Sequence, residues 1–83
     1  MKKTRVQAAR NQIGPRIRLA RLKAKSPISQ EDLAGRLAAQ GVLLDRSAIS
    51  RIESQTRYVM DFEASAIAKC LGVSVAWLFG EPD

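Results

Sequence analysis

The chain has no histidine, a single cysteine (Cys70) and only four aromatic residues in 83. Without histidine, acid–base catalysis and metal binding lose their commonest side chain. One thiol cannot build a disulfide framework, nor a zinc site with carboxylates at useful spacing, and it suits a reducing cytoplasm. Aromatics at 5%, beside abundant alanine and leucine, speak against a β-sandwich and for packed helices. No apolar run approaches the roughly 20 residues of a membrane span, and there is no apolar core of a signal peptide. No glycine-rich phosphate loop follows a strand, because no strand is expected. These absences lead us to expect a cytoplasmic protein that is not an enzyme, with no cofactor, metal, membrane contact or small-molecule ligand.

Acid is also missing from one stretch. Residues 1–25 hold nine Lys or Arg and no Asp or Glu, residues 26–60 hold four of each sign, and residues 61–83 hold Lys69 against four acids. The net charge of +6 is therefore concentrated in one half, as a surface facing phosphates requires. Eighty-three residues make one domain with a limited core. We divide the chain into a basic N-terminal arm (1–11), a domain (12–80) and a short tail (81–83).

Helix starts are marked by one repeated device: an apolar residue, a capping residue, and a second apolar residue four further on. Ile28-Ser29 with Leu33, Leu44-Asp45 with Ile49, and Val73-Ser74 with Leu78 each have this form. The cap accepts free N–H groups of the first turn while the apolar pair packs across it. Asp32, three after Ser29, completes a capping box. The spacing predicts helices over about Gln12–Lys25, Gln30–Gln40, Arg46–Ser54, Asp61–Leu71 and Val75–Phe79. Pro15 is tolerated only in an opening turn, Ser26-Pro27 ends the first helix, and Gly41 and Gly72 are left-handed stops. The predicted core takes Ile13, Ile17, Ala20, Ala24, Leu33, Ala34, Leu37, Ile49, Ile52, Ala64, Ile67, Ala68, Leu71, Trp77 and Leu78. Cys70 is expected as a small core residue and Tyr58 as partly buried packing. Leu19 and Leu22 point away from the first helix's stripe.

The third helix carries the chemistry. With Ile49 and Ile52 turned inward, Arg46, Ser47, Ser50 and Arg51 occupy its remaining faces. Arginine pairs bidentately with guanine O6 and N7, and small hydroxyls approach any base edge, so such a helix can read a DNA major groove.

Four stretches in order carry a resemblance. They are Ile13-Gly14-Pro15-Arg16-Ile17-Arg18, Ser29-Gln30-Glu31-Asp32-Leu33-Ala34, Arg46-Ser47-Ala48-Ile49-Ser50-Arg51-Ile52-Glu53, and Leu71-Gly72-Val73-Ser74-Val75-Ala76-Trp77-Leu78. Together they resemble the phage-repressor and Cro type of helix-turn-helix domain, the XRE family, over residues 13–80. The resemblance implies an all-α, compact five-helix, lambda-repressor-like fold. It also implies a bacterial or phage transcriptional regulator, a repressor in most cases, that binds a palindromic double-stranded operator as a homodimer. Carried over by position, Arg46, Ser47 and Arg51 become base readers, and Ser50 joins them as a residue facing the groove. Ser29, Gln30, Gln55, Thr56 and Arg57 become backbone contacts, and Arg21 with Glu53 a structural ion pair. Two departures stand out. The connector between the second and third helices is about five residues longer than the usual turn, with Ala38 where a glycine is common. The loop at Ser26-Pro27 is about two residues longer than usual.

The rival reading is a protein-interaction module such as an antitoxin or adaptor, with the acidic C-terminal end or Leu19 and Leu22 as its interface. A nucleoid protein without sequence preference is a third.

Overall fold

The repeated capping device sets three of the five helix starts. In the computed structural model, which describes residues 8–82, the hydroxyls of Ser29 and Ser74 and the carboxylate of Asp45 accept the amides of Asp32, Trp77 and Ala48 at 2.8–2.9 Å. The helices are α1 (Gly14–Lys23), α2 (Gln30–Ala39), α3 (Arg46–Glu53), α4 (Asp61–Leu71) and α5 (Val75–Leu78), with no strand among the described residues. Residues 1–7 of the expected arm and Asp83 of the tail lie outside the described residues. The capping box at Ser29 is complete, since Asp32 returns a carboxylate oxygen to the Ser29 amide at 3.4 Å. At α4, Glu63 does the same for the Met60 amide at 3.0 Å.

Four helices end alike. After α2, α4 and α5 the chain turns through Gly41, Gly72 and Gly80 at positive φ. After α3 it turns through Gln55, at φ +65, the one non-glycine residue with positive φ among those described. The amides of Thr56 and Gln55 donate to the carbonyls of Arg51 and Ile52, at 2.9 and 3.0 Å, closing the same left-handed cap that glycine closes elsewhere.

α3 packs against both α1 and α2, and α4 lies against α1, α2 and α5. Ile13, Ile17, Leu33, Leu37, Ile49, Ile52, Ile67 and Leu78 meet at the centre and are sealed from solvent. The longer connector between α2 and α3 is anchored rather than loose. Leu44 is buried, Val42 half-buried, and the Val42 amide donates to Leu37 at 2.9 Å; only Leu43 stands out, 85% exposed.

Several sequence expectations need correcting. The first helix is shorter by two residues at each end than expected. Asn11 accepts the Gly14 amide at 2.8 Å, so Asn11-Gln12-Ile13 forms a turn ahead of the helix. Ala24 is extended, with ψ 149°, before the Lys25-Ser26-Pro27 segment. The second, third and fifth helices each stop one residue early. Trp77 is half-buried, and Leu78 alone plugs the core from α5. An indole needs a partner for its polar edge, and its face lies under the Arg16 guanidinium at 4.0 Å. Cys70 is also half-buried at the core's edge, where it accepts from Gln40 Nε2 at 3.2 Å. Burial pushes its thiol above the ordinary value, opposed by the nearby charges of Arg36 and Lys69. Tyr58 is not packing: it is 67% exposed.

Candidate nucleic-acid interface

Because Ala48, Ile49 and Ile52 point into the core, the opposite face of α3 is committed to solvent. Arg46, Ser47, Ser50 and Arg51 are all exposed there. Arg51 Nη1 donates to Ser47 Oγ at 3.0 Å, one turn back, so these two share a side. Gln30, Asp45, Arg46, Ser47 and Ser50 line one shallow hollow at the N-terminal end of α3, which brings the start of α2 beside it. A helix is about 10–12 Å across with its side chains. The B-DNA major groove is about 12 Å wide, so such a helix fits it.

The buried side of α3 is held by charge as well as by packing. Arg21 Nε donates to Glu53 Oε2 at 2.7 Å and Nη2 to Glu53 Oε1 at 2.9 Å, while Nη1 donates to the Ile28 carbonyl at 2.8 Å. Both side chains are almost fully removed from water, at 8% and 5% exposure. The hydrogen-bonded Glu53 carboxylate pushes the Arg21 pKa up, against the opposing effect of burial. Gln30 Nε2 joins at 3.1 Å to Glu53 Oε1. One carboxylate on α3 thus ties together α1, α2 and the loop between them.

A second clamp holds the end of α3, and nothing in the sequence pointed to it. Asn11 Nδ2 donates to the carbonyls of Ile52 and Arg57, at 3.0 and 2.8 Å. The Gln55 side chain returns a bond to the Asn11 carbonyl at 3.0 Å, and the Arg10 amide donates to the Gln55 carbonyl at 3.0 Å. Next to it, Gly14 sits so close to α3 that a Cβ there would collide with the Ile52 carbonyl oxygen. The signal available in sequence was local: an asparagine three residues before a helical glycine is a capping pattern. Its partners 41 and 46 residues away leave no such trace.

The residues expected at a DNA backbone fall into two groups. Ser29 and Thr56 are exposed and already bonded locally: Ser29 as the α2 cap, Thr56 to the Arg51 carbonyl at 3.2 Å and with the Ser54 hydroxyl at 3.1 Å. Gln30, Gln55 and Arg57 are half-buried and face the protein with at least one donor. Arg57 Nη1 donates to Glu63 Oε1 at 3.1 Å and to the Tyr58 carbonyl at 2.9 Å.

Two packed helices joined by an anchored, lengthened connector, the second presenting a polar face over an apolar one, define a helix-turn-helix domain. A helix-turn-helix family model of the Cro/C1 type matches residues 17–78 of the 83, and the chain belongs to that family, the XRE family of DNA-binding transcription regulators. No curated protein and no solved structure matches it. Among the described residues, no helix is long and apolar enough to cross a membrane.

Proposed function

We propose that this chain binds double-stranded DNA sequence-specifically, as a homodimer on a palindromic operator, and acts as a transcriptional repressor of bacterial or phage origin. α3 lies in the major groove. Arg46 pairs with a guanine, Ser47 and Ser50 approach neighbouring base edges, and Arg51 reads or braces the next position. The start of α2, with Ser29, Gln30 and its free first-turn amides, meets one phosphate. Gln55, Thr56 and Arg57 follow the backbone on the other side.

One observation carries this reading. Four exposed polar side chains share a helix whose opposite face is locked into the core, so the backbone that presents them is fixed before DNA arrives. Pre-ordered contacts lose little entropy on binding. Affinity comes mainly from Arg and Lys displacing counterions, and falls steeply with salt. Sequence preference comes from base edges.

The test is selection of bound sites from a random duplex pool at about 0.15 M salt, near physiological screening. Enrichment of a two-fold sequence is the expected result. Retention of the pool without enrichment would make this a DNA binder without sequence preference, and no retention would move the function to a protein partner.

A further inference from the structure

We propose that Leu43, in the lengthened connector between α2 and α3, is a further specificity-determining residue that reads the methyl group of a thymine. The inference rests on the reading of α3 as the DNA-reading helix, and it adds a base position to that reading.

Leu43 is 85% exposed, more than any other large apolar side chain among the described residues. The fold does not need a leucine there. Leu44 is buried, Val42 is half-buried, and the Val42 amide donates to the Leu37 carbonyl at 2.9 Å. These contacts pin the connector on both sides of Leu43, so its side chain projects outward from a held backbone. A side chain left in water adds almost nothing to the core, and a polar residue would serve the fold as well.

The place of Leu43 relative to α3 follows from two hollows. Gln30, Arg46, Ser47 and Ser50 line one, Leu43, Ala48 and Arg51 line the other, and Asp45 belongs to both. At about 3.6 residues per turn, Arg46 and Ser50 fall on one flank of α3 and Ala48 and Arg51 on the other, with Ser47 between. Leu43 therefore stands at the start of α3 on its Arg51 flank. The second hollow measures about 580 Å³ and has Arg57 in its wall as well as Arg51. Its one acid, Asp45, is engaged as the α3 cap, and the rest of its lining is neutral. Two cations so placed draw a phosphate strand to this flank, which brings the edge of the major groove to Leu43.

DNA offers one group there that suits leucine. A leucine side chain neither donates nor accepts a hydrogen bond, and the C5-methyl of thymine is the apolar group at the major-groove edge. Contact between the two removes apolar surface from water on both sides. The same contact disfavours cytosine, which presents an amine and no methyl.

The test uses the selected duplex with each thymine replaced singly by uracil, which lacks only the methyl. Binding is read by fluorescence anisotropy at about 0.15 M salt. Wild type is expected to bind about fourfold more weakly at one thymine per half-site, the factor for one buried methyl group. Leu43→Ser, folded by circular dichroism, is expected to bind the unmodified duplex more weakly by at least that factor and to lose the penalty at that thymine. Leu43→Met, still apolar, should keep it. Ser47 and Ser50 are intact in both variants, so a thymine that either contacts stays sensitive and is told apart. A wild type indifferent to every replacement overturns the proposal, as does a Leu43→Ser chain whose penalties are all undiminished. A selected site with no thymine coupled to Leu43 defeats this inference alone; a pool that yields no site defeats the DNA reading and this inference with it.

Discussion

The two ends of α3 are held in different ways. At the N-terminal end, Asp45 caps the helix and Arg46, Ser47 and Ser50 face solvent around a shallow hollow. At the C-terminal end, Ile52, Glu53 and Gln55 are engaged by Arg21, Gln30, Asn11 and the close approach of Gly14. The same eight residues are free at one end and fixed at the other. A reading helix needs this division: the fixed end sets position and angle, and the free end carries the side chains that choose a sequence. Substitutions at the fixed end should therefore act on stability, and those at the free end on base preference.

The largest effect is expected from Arg21→Ala, which leaves the Glu53 carboxylate buried without its cation. Loss of a buried partner costs about 3–5 kcal/mol, a large share of the total for a domain this size, read as a shift in urea unfolding. Replacing both, as Arg21→Met with Glu53→Leu, should recover much of that loss, because an apolar pair needs no compensation. Gly14→Ala comes next. Alanine ordinarily favours a helix over glycine by up to about 1 kcal/mol, but here the methyl meets the Ile52 carbonyl, and a loss of about 1–3 kcal/mol is expected from overpacking. A gain in melting temperature would show that α1 and α3 are not in close contact.

Asn11→Ala removes three hydrogen bonds, two of them to carbonyls at the end of α3 and beyond. A loss of about 1–3 kcal/mol follows if those carbonyls are left without partners. Faster hydrogen exchange should be confined to the turn after α3. Gln55→Gly should change least. It relieves a left-handed conformation costing roughly 1–2 kcal/mol in a residue with a Cβ, yet loses the bond to the Asn11 carbonyl, worth about 1 kcal/mol. The two nearly cancel, and a net change within about 1 kcal/mol is expected; a larger loss would mean that the Asn11 link does more than its geometry suggests.

Arg21 bears on pH as well. Its pKa is raised in the folded state, so its contribution is complete below the unfolded value and fades only as pH climbs through the folded one. That window lies above the ordinary arginine range, so Arg21's own contribution should not change with pH under physiological conditions. Cys70 has the same sign: its raised value favours the folded thiol, and that small contribution disappears as pH rises through the thiol's folded value.

Much of this arrangement was legible in the sequence where the cause is local. Ser29, Asp45 and Ser74 cap as expected because a side chain reaching three residues forward depends on nothing else in the fold. The limits of α4 were correct, and Gly41 and Gly72 turn as glycine allows. The polar face of α3 could be placed because Ile49 and Ile52 fix which side is inward. What was not legible depends on distant parts of the chain. Gln55 turns through a glycine's conformation because Asn11 holds its side chain, and no residue near Gln55 announces this. Gln30 and Arg57, expected at the DNA backbone, also direct donors to Glu53 and Glu63, partners across the fold or on the next helix that their sequence positions do not announce. Trp77, Tyr58 and Cys70 sit at the margin because amphipathic side chains are satisfied there, and a hydrophobicity pattern does not separate margin from core.

In this picture the exposed face of α3, strongest at its free N-terminal end, reads DNA, while the buried face and the clamps at Ile52 and Glu53 hold it in place. Arg46→Ala tests this most directly through a position-by-position binding profile beside a melting curve. Stability is expected to stay within about 0.5 kcal/mol of wild type, as for an ordinary surface change. Preference is expected to be lost at one base position per half-site, worth about 1–3 kcal/mol of discrimination. An unchanged profile, or an equal loss of affinity at every sequence, would contradict this picture and make Arg46 a bystander or a phosphate contact.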